Sequence, residues 1–371
     1  MPSDDRLRQS VENLLFGAAG MGRGARLLIV AERPEHGYYG NGLAPAVATA
    51  ARALGLDVSV RDIGFDPEAL PEIAPYADAM QAHDRTLFLA RLGDQLRFDP
   101  ALDSVRPIVC YALDLEMLCS PFGTTAHAAL LAAKSLIDAA IARASEVRVT
   151  CPLGTDVVSN AGAGRVGADT SVTRFPLSVF TPVLAAGFRG QVAQAGFLVG
   201  TGARYYTPYA VPLSGVLRVG IDGHRITGFD GAADDVARAR AHYQRVAALY
   251  DLDPWTVHSW HAGIHPGCRF LDSVAASPER WSGGAFGNPR LLHFHTCGAE
   301  PPGEISLNIV DPTLMLDGTA LWEAGQLHLA RLPGGAALLA EHPSLARLFA
   351  DPAREIGLNG AGQLSLSPGT A

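Results

Sequence analysis

Nowhere in these 371 residues does an apolar run approach the roughly 18 positions that a membrane-spanning helix needs, so no membrane partner is expected. Clustered basic charge is also missing. The 29 Lys and Arg stand against 37 Asp and Glu, a net charge of -8, and no stretch gathers the cations of a nucleic-acid face. Residues 1–22, MPSDDRLRQSVENLLFGAAGMG, lack the basic-then-apolar order of a secretory signal. The five cysteines, Cys110, Cys119, Cys151, Cys268 and Cys297, are odd in number and form no CxxC pair. That excludes a zinc ribbon or a disulfide scaffold and predicts reduced thiols in a cytoplasmic protein.

What is present is an ordinary globular composition, 48% hydrophobic and 18% charged, in a chain too long for one core. Residues 5–19 have helical apolar spacing, and 26–31 (RLLIVA) is a short, wholly apolar run of the kind found in buried parallel strands. A glycine-rich turn at 37–42 leads into an alanine-rich helix over 43–54. Strands over 57–63, 86–90, 107–113 and 147–150 then alternate with helices over 68–81 and 124–143, which predicts a doubly wound parallel sheet. The turn at 35–42 follows a strand and opens a helix but lacks the GxGxxG order, so no dinucleotide site is expected.

After Cys151 the texture changes to Gly, Ser, Thr and Asp, followed by strand-like runs at 179–181, 195–199, 215–219 and 225–229. IDGHRITGF reads as a hairpin turning at Asp222-Gly223, and one helix over 232–250 interrupts this half. The expectation is an α/β domain over 1–165 and a β-rich α+β domain over 166–371, the latter carrying a metal site.

Two histidine knots motivate that site. Residues 260–266 read WHAGIHP, and 291–318 read LLHFHTCGAEPPGEISLNIVDPTLMLDG. If 291–295 is a strand, its period of two puts His293 and His295 on one face, and Glu304, Ser306 and Asn308 share a face of the next. The Pro-Pro-Gly between them is short enough for a hairpin-like return that brings His295 near Glu304. Burying so many ionisable groups in apolar runs would be costly without a compensating partner. The expected ligands are His261, His295 and Glu304, with His293 and His265 as further ligands or proton donors. Two imidazoles and a carboxylate suit Fe(II) in non-haem oxygenases, and the same set with one water suits catalytic zinc.

The order Gly154-Thr155-Asp156, then Val179–Pro182 (VFTP), a GI segment, a histidine-bearing strand and a late Leu316-Asp317-Gly318 resembles the aminopeptidase T family of metallopeptidases over most of the chain. That resemblance implies an N-terminal α/β domain with a C-terminal domain bearing the metal, commonly as a homodimer. Three family carboxylate or histidine ligand positions are altered: Ser178 and His261 replace glutamates, and Glu304-Ile305-Ser306 stands where His-x-Asp is expected. Losing carboxylates removes the two-metal arrangement that activates water in such peptidases. The site pattern is more similar to 2,5-dihydroxypyridine dioxygenases, single-iron ring-cleaving enzymes that also place histidine at the position of His261.

The resemblance puts Arg91 where those dioxygenases have an active-site histidine, and an arginine there would clamp a substrate carboxylate; the competing role is an ion pair with Asp94. His127, Tyr205 and Tyr206 are further candidates for substrate contact. The favoured expectation is an iron dioxygenase acting on a small aromatic or heteroaromatic substrate with dioxygen. The alternatives are a zinc hydrolase, with Glu304 or His293 as base, and a peptide-binding homologue without catalysis.

Overall fold

The computed structural model describes residues 3–67, 69–160, 170–298, 302–359 and 362–366. The chain divides into two compact units, Met1–Leu131 with Thr170–Ser178, and Ala132–Asp169 with Val179–Ala371. Among the described residues no helix is long and apolar enough to cross a membrane.

The first unit is built on a parallel sheet. Its strands lie in the order Asp57–Ile63, Arg26–Glu32, Arg85–Leu89, Ile108–Cys110, Thr173–Phe175. In the second of these every residue after Arg26 is buried, which is why RLLIVA shows no alternation. The edge strand Asp57–Ile63 buries only Val58 and Ile63. The helix expected over 43–54 forms as Leu43–Ala53.

Three local expectations need correction. The helix over 5–19 runs as an α-helix only through Asp4–Glu12 and continues as a wider turn over Asn13–Ala18. The helix expected over 68–81 shrinks, among described residues, to Ala77–Gln81 behind a single turn at Ala74–Tyr76, because Pro71 and Pro75 deny the backbone two of its donors; Glu68 lies outside the described residues. Val147–Thr150 is a strand, but it belongs to the antiparallel sheet of the second unit. Its alternating burial, with Arg148 turned out to pair with Asp156 at 2.7 Å, fits a strand with one wet face.

The second unit holds two antiparallel sheets. The eight-stranded sheet runs Arg225–Asp230, Leu217–Asp222, Phe188–Gln194, Asp156–Ser159, Val147–Thr150, Thr313–Leu316, Thr319–Glu323, Gln326–Leu327. Its first two strands form the expected hairpin, with Gly223 at φ 63° where a left-handed residue is required. The six-stranded sheet runs Ala210–Pro212, Phe197–Val199, Ile305–Val310, Leu291–Thr296, Val257–Ala262, Val183–Leu184. The strand expected over 179–181 is reduced to a single bridge between Val179 and Gly263.

Candidate metal centre

The three central strands of the six-stranded sheet, Val257–Ala262, Leu291–Thr296 and Ile305–Val310, carry the histidines. Antiparallel pairing sets His261 opposite His293, and His295 opposite Ser259 on one side and Ser306 on the other. Because side chains alternate, all three imidazoles leave one face of the sheet and Trp260 and Phe294 leave the other. There Phe188, from the eight-stranded sheet, meets both aromatic rings edge-on, with centroids 5.7 and 5.5 Å away. The apolar clamp on one face thus holds the histidines on the other.

His261 Nε2 lies 2.7 Å from His293 Nε2 and 3.1 Å from His295 Nε2. The three ligand atoms all fall within 4.8 Å of one another, and the residues are 5%, 1% and 4% exposed. A neutral imidazole offers one N–H and one lone pair, so three ring nitrogens facing a common point do not satisfy each other as donor and acceptor pairs. A single divalent cation accepts all three lone pairs at once. With metal–nitrogen bonds of about 2.0–2.1 Å, neighbouring ligand nitrogens stand roughly 3.0–3.4 Å apart, close to the spacing here. The residues fit one metal ion.

The far side of each ring matters as much. The Nδ1 atom of His295 is 2.5 Å from Glu304 Oε1, and His261 Nδ1 is 3.3 Å from the Phe180 carbonyl. Both acceptors call for an N–H at Nδ1 and so leave the lone pair at Nε2, the tautomer a ligand needs. The ring of His293 lies against Phe286, with centroids 4.3 Å apart and planes at 35°, which walls that flank with an apolar surface.

Glu304 therefore takes a different place from the one expected. Its carboxylate engages the outer nitrogen of His295, and it is His293 that stands with His261 and His295 in the cluster. Strand phase decides this: Glu304 precedes the strand Ile305–Val310 at its mouth, whereas His293 sits inside the ladder opposite His261.

The other candidates fall elsewhere. His265 is fully buried but accepts the Gly267 backbone N–H at Nδ1, 3.0 Å away, in a local turn and is not part of the triad. Arg91 belongs to the first unit, where its guanidinium forks onto Glu32 at 2.6 and 3.1 Å. Phe65 and Tyr38 flank it, with ring centroids 3.4 and 4.9 Å from the guanidinium carbon. Asp94, the partner weighed for it, binds Arg97 and the Tyr111 hydroxyl. His127, also in the first unit, donates its backbone N–H to Asn13 Oδ1, and burial holds its imidazole below the usual range.

Tyr206 donates its hydroxyl to the Glu304 carbonyl at 2.8 Å, and burial pushes its phenol well above the usual range, so it braces Glu304 as a neutral group. Tyr205 contributes its carbonyl to the Tyr250 hydroxyl. Two groups escaped the sequence reading: the Phe180 carbonyl, which any residue would supply, and His258. Burial holds His258 below the ordinary histidine range, with His295 acting in the same direction and Glu304 opposing.

No family model and no curated protein matches the sequence. Solved structures do. The 2,5-dihydroxypyridine dioxygenase of Pseudomonas putida aligns with a TM-score of 0.58 at 15% identity, covering 90% of this chain and 99% of that one. AmpT of Thermus thermophilus, an aminopeptidase T, aligns with a TM-score of 0.51 at 12% identity, covering 88% and 100%. At these identities the likeness carries the fold: the chain shares the architecture of a dioxygenase and of a metallo-aminopeptidase, and its own buried histidine triad could bind a metal.

Proposed function

We propose that this protein is a mononuclear iron enzyme that uses dioxygen to oxidise a small aromatic or heteroaromatic compound. The observation that carries the reading is the convergence of His261, His293 and His295 on one point. Three neutral nitrogens with one outer carboxylate provide for one ion. They lack the bridging carboxylates of a two-metal hydrolytic site, which disfavours the peptidase chemistry of AmpT. The likeness in fold to a dioxygenase supports iron over other divalent metals.

His261, His293 and His295 would hold an iron ion, which would supply activation of dioxygen beside a bound substrate. The chain supplies the rest. Glu304 and the Phe180 carbonyl hold two imidazoles in the ligating tautomer. Phe286 and the buried strand faces keep bulk water from reactive species.

Metal analysis and an oxygen electrode test the proposal. Protein prepared without a histidine tag should hold one iron per chain and consume dioxygen with 2,5-dihydroxypyridine or another hydroxylated ring. His261→Ala should lose both properties. One iron per chain without oxygen uptake on any aromatic diol would reject the assignment.

A second reading has its own observation. Three imidazoles without a carboxylate are also the donor set of a catalytic zinc that activates water. Zinc in the purified protein with turnover of esters or amides under argon would select it.

A further inference from the structure

The strand Ile305–Val310 carries a group that the metal reading leaves unused. Asn308 lies opposite His293 in the ladder, and Ser306 opposite His295, so both project from the histidine face. Side chains paired this way have Cβ atoms about 4.5–5.5 Å apart. Asn308 is 3% exposed. Its backbone N–H donates to Gln194 Oε1 at 2.6 Å, and its Oδ1 accepts from the Ser306 hydroxyl at 2.9 Å. Its Nδ2 amino group is buried and has no hydrogen-bond partner among the described residues.

A buried donor left unpaired carries the whole desolvation penalty of the group, so such groups are rare unless something else meets them. Asn308 also lines a cavity of about 470 Å³, together with Gly196, Leu213, Ser214, Val310 and Leu364. That volume is in the range of small-molecule sites, and its wall mixes apolar residues with the polar side chains of Ser214, Asp311, Asn359, Gln363 and Ser365. Asn308 therefore joins two features: by register it neighbours His293, and it is one of the residues around the cavity.

We propose that Asn308 orients the substrate, donating its amino group to an acceptor oxygen of a one-ring molecule that bears hydroxyl, carbonyl or carboxylate groups. The assignment rests on the metal-enzyme reading above and narrows its substrate class. An amino donor selects oxygen acceptors and disfavours amines, which would face it with N–H groups of their own.

The test is calorimetric titration of metal-loaded, full-length protein under argon with 2,5-dihydroxypyridine and with benzoate. Asn308→Leu removes the donor. Asn308→Asp keeps the acceptor for Ser306 and replaces the donor with a second acceptor. Both variants should retain one metal per chain and bind at least one probe tenfold or more weakly than the wild type does. If Asn308→Leu fails to fold, Asn308→Asp decides alone.

Unchanged affinity in the variants overturns the assignment, as does wild-type protein that binds neither probe. Loss of metal in both variants would make Asn308 a support of the cluster and overturn it too. Asn308-dependent binding without oxygen uptake would remove the dioxygenase reading and leave this assignment standing. Oxygen uptake with Asn308-independent binding would do the reverse.

Discussion

Glu304 and Arg91 are both buried charges, and what each touches separates their roles. Glu304 meets the outer nitrogen of a metal-facing imidazole, so Glu304→Gln should fold normally yet bind metal about 10–100-fold more weakly, as measured by competition with a chelator. Arg91 and Glu32 are 3% and 2% exposed at their side chains and satisfy each other. Arg91→Leu strands the carboxylate in the interior. The expected cost is about 3–5 kcal/mol in denaturant unfolding, with metal content unchanged in the folded fraction. A loss of metal on Arg91→Leu at full stability would return Arg91 to the list of site residues.

At the scale of elements, the histidine face depends on three strands keeping their register, since a slip of one residue would turn every imidazole toward Phe188. Gly263 guards one end of this arrangement. It follows His261-Ala262, donates its N–H to the Leu291 carbonyl at 3.0 Å, and passes so close to the neighbouring loop that a Cβ there would stand 2.2 Å from the Asn288 carbonyl oxygen. Gly263→Ala should push the strand end outward, costing about 1–3 kcal/mol and weakening metal binding. Thermal melts with and without metal would show both effects; an unchanged melting curve would mean that the loop yields freely.

Across the whole molecule, one buried and two half-buried histidines make the fold sensitive to acid. His242 is 3% exposed, and burial, aided by Arg245, lowers its pKa to about 4. The folded state keeps it neutral while the unfolded chain takes up a proton below about 6.5, so stability is present above that pH and lost as pH falls toward 4. The loss amounts to about 3 kcal/mol at the lower end. His127 and His258 act in the same direction. His242→Phe should therefore melt at pH 4.5 closer to its own pH 7.5 value than the wild type does. An equal drop in both proteins would assign the acid sensitivity elsewhere.

The sequence alone determined a good deal, because some information is local. RLLIVA carried a buried parallel strand, IDGHRITGF its hairpin and turn, and HFH two histidines on one face, since apolar runs, glycine turns and period-two alternation need no knowledge of distant residues. It also singled out His261, His293, His295 and Glu304 as a group. Only the tertiary structure decided where each of them sits. Which strand pairs with which, and in what register, set His261 opposite His293 and left Glu304 behind His295. The same non-local pairing carried Val147–Thr150 into the antiparallel sheet and turned Arg91 onto Glu32. These choices depend on contacts between residues far apart in the chain, whose energies no spacing along the sequence expresses.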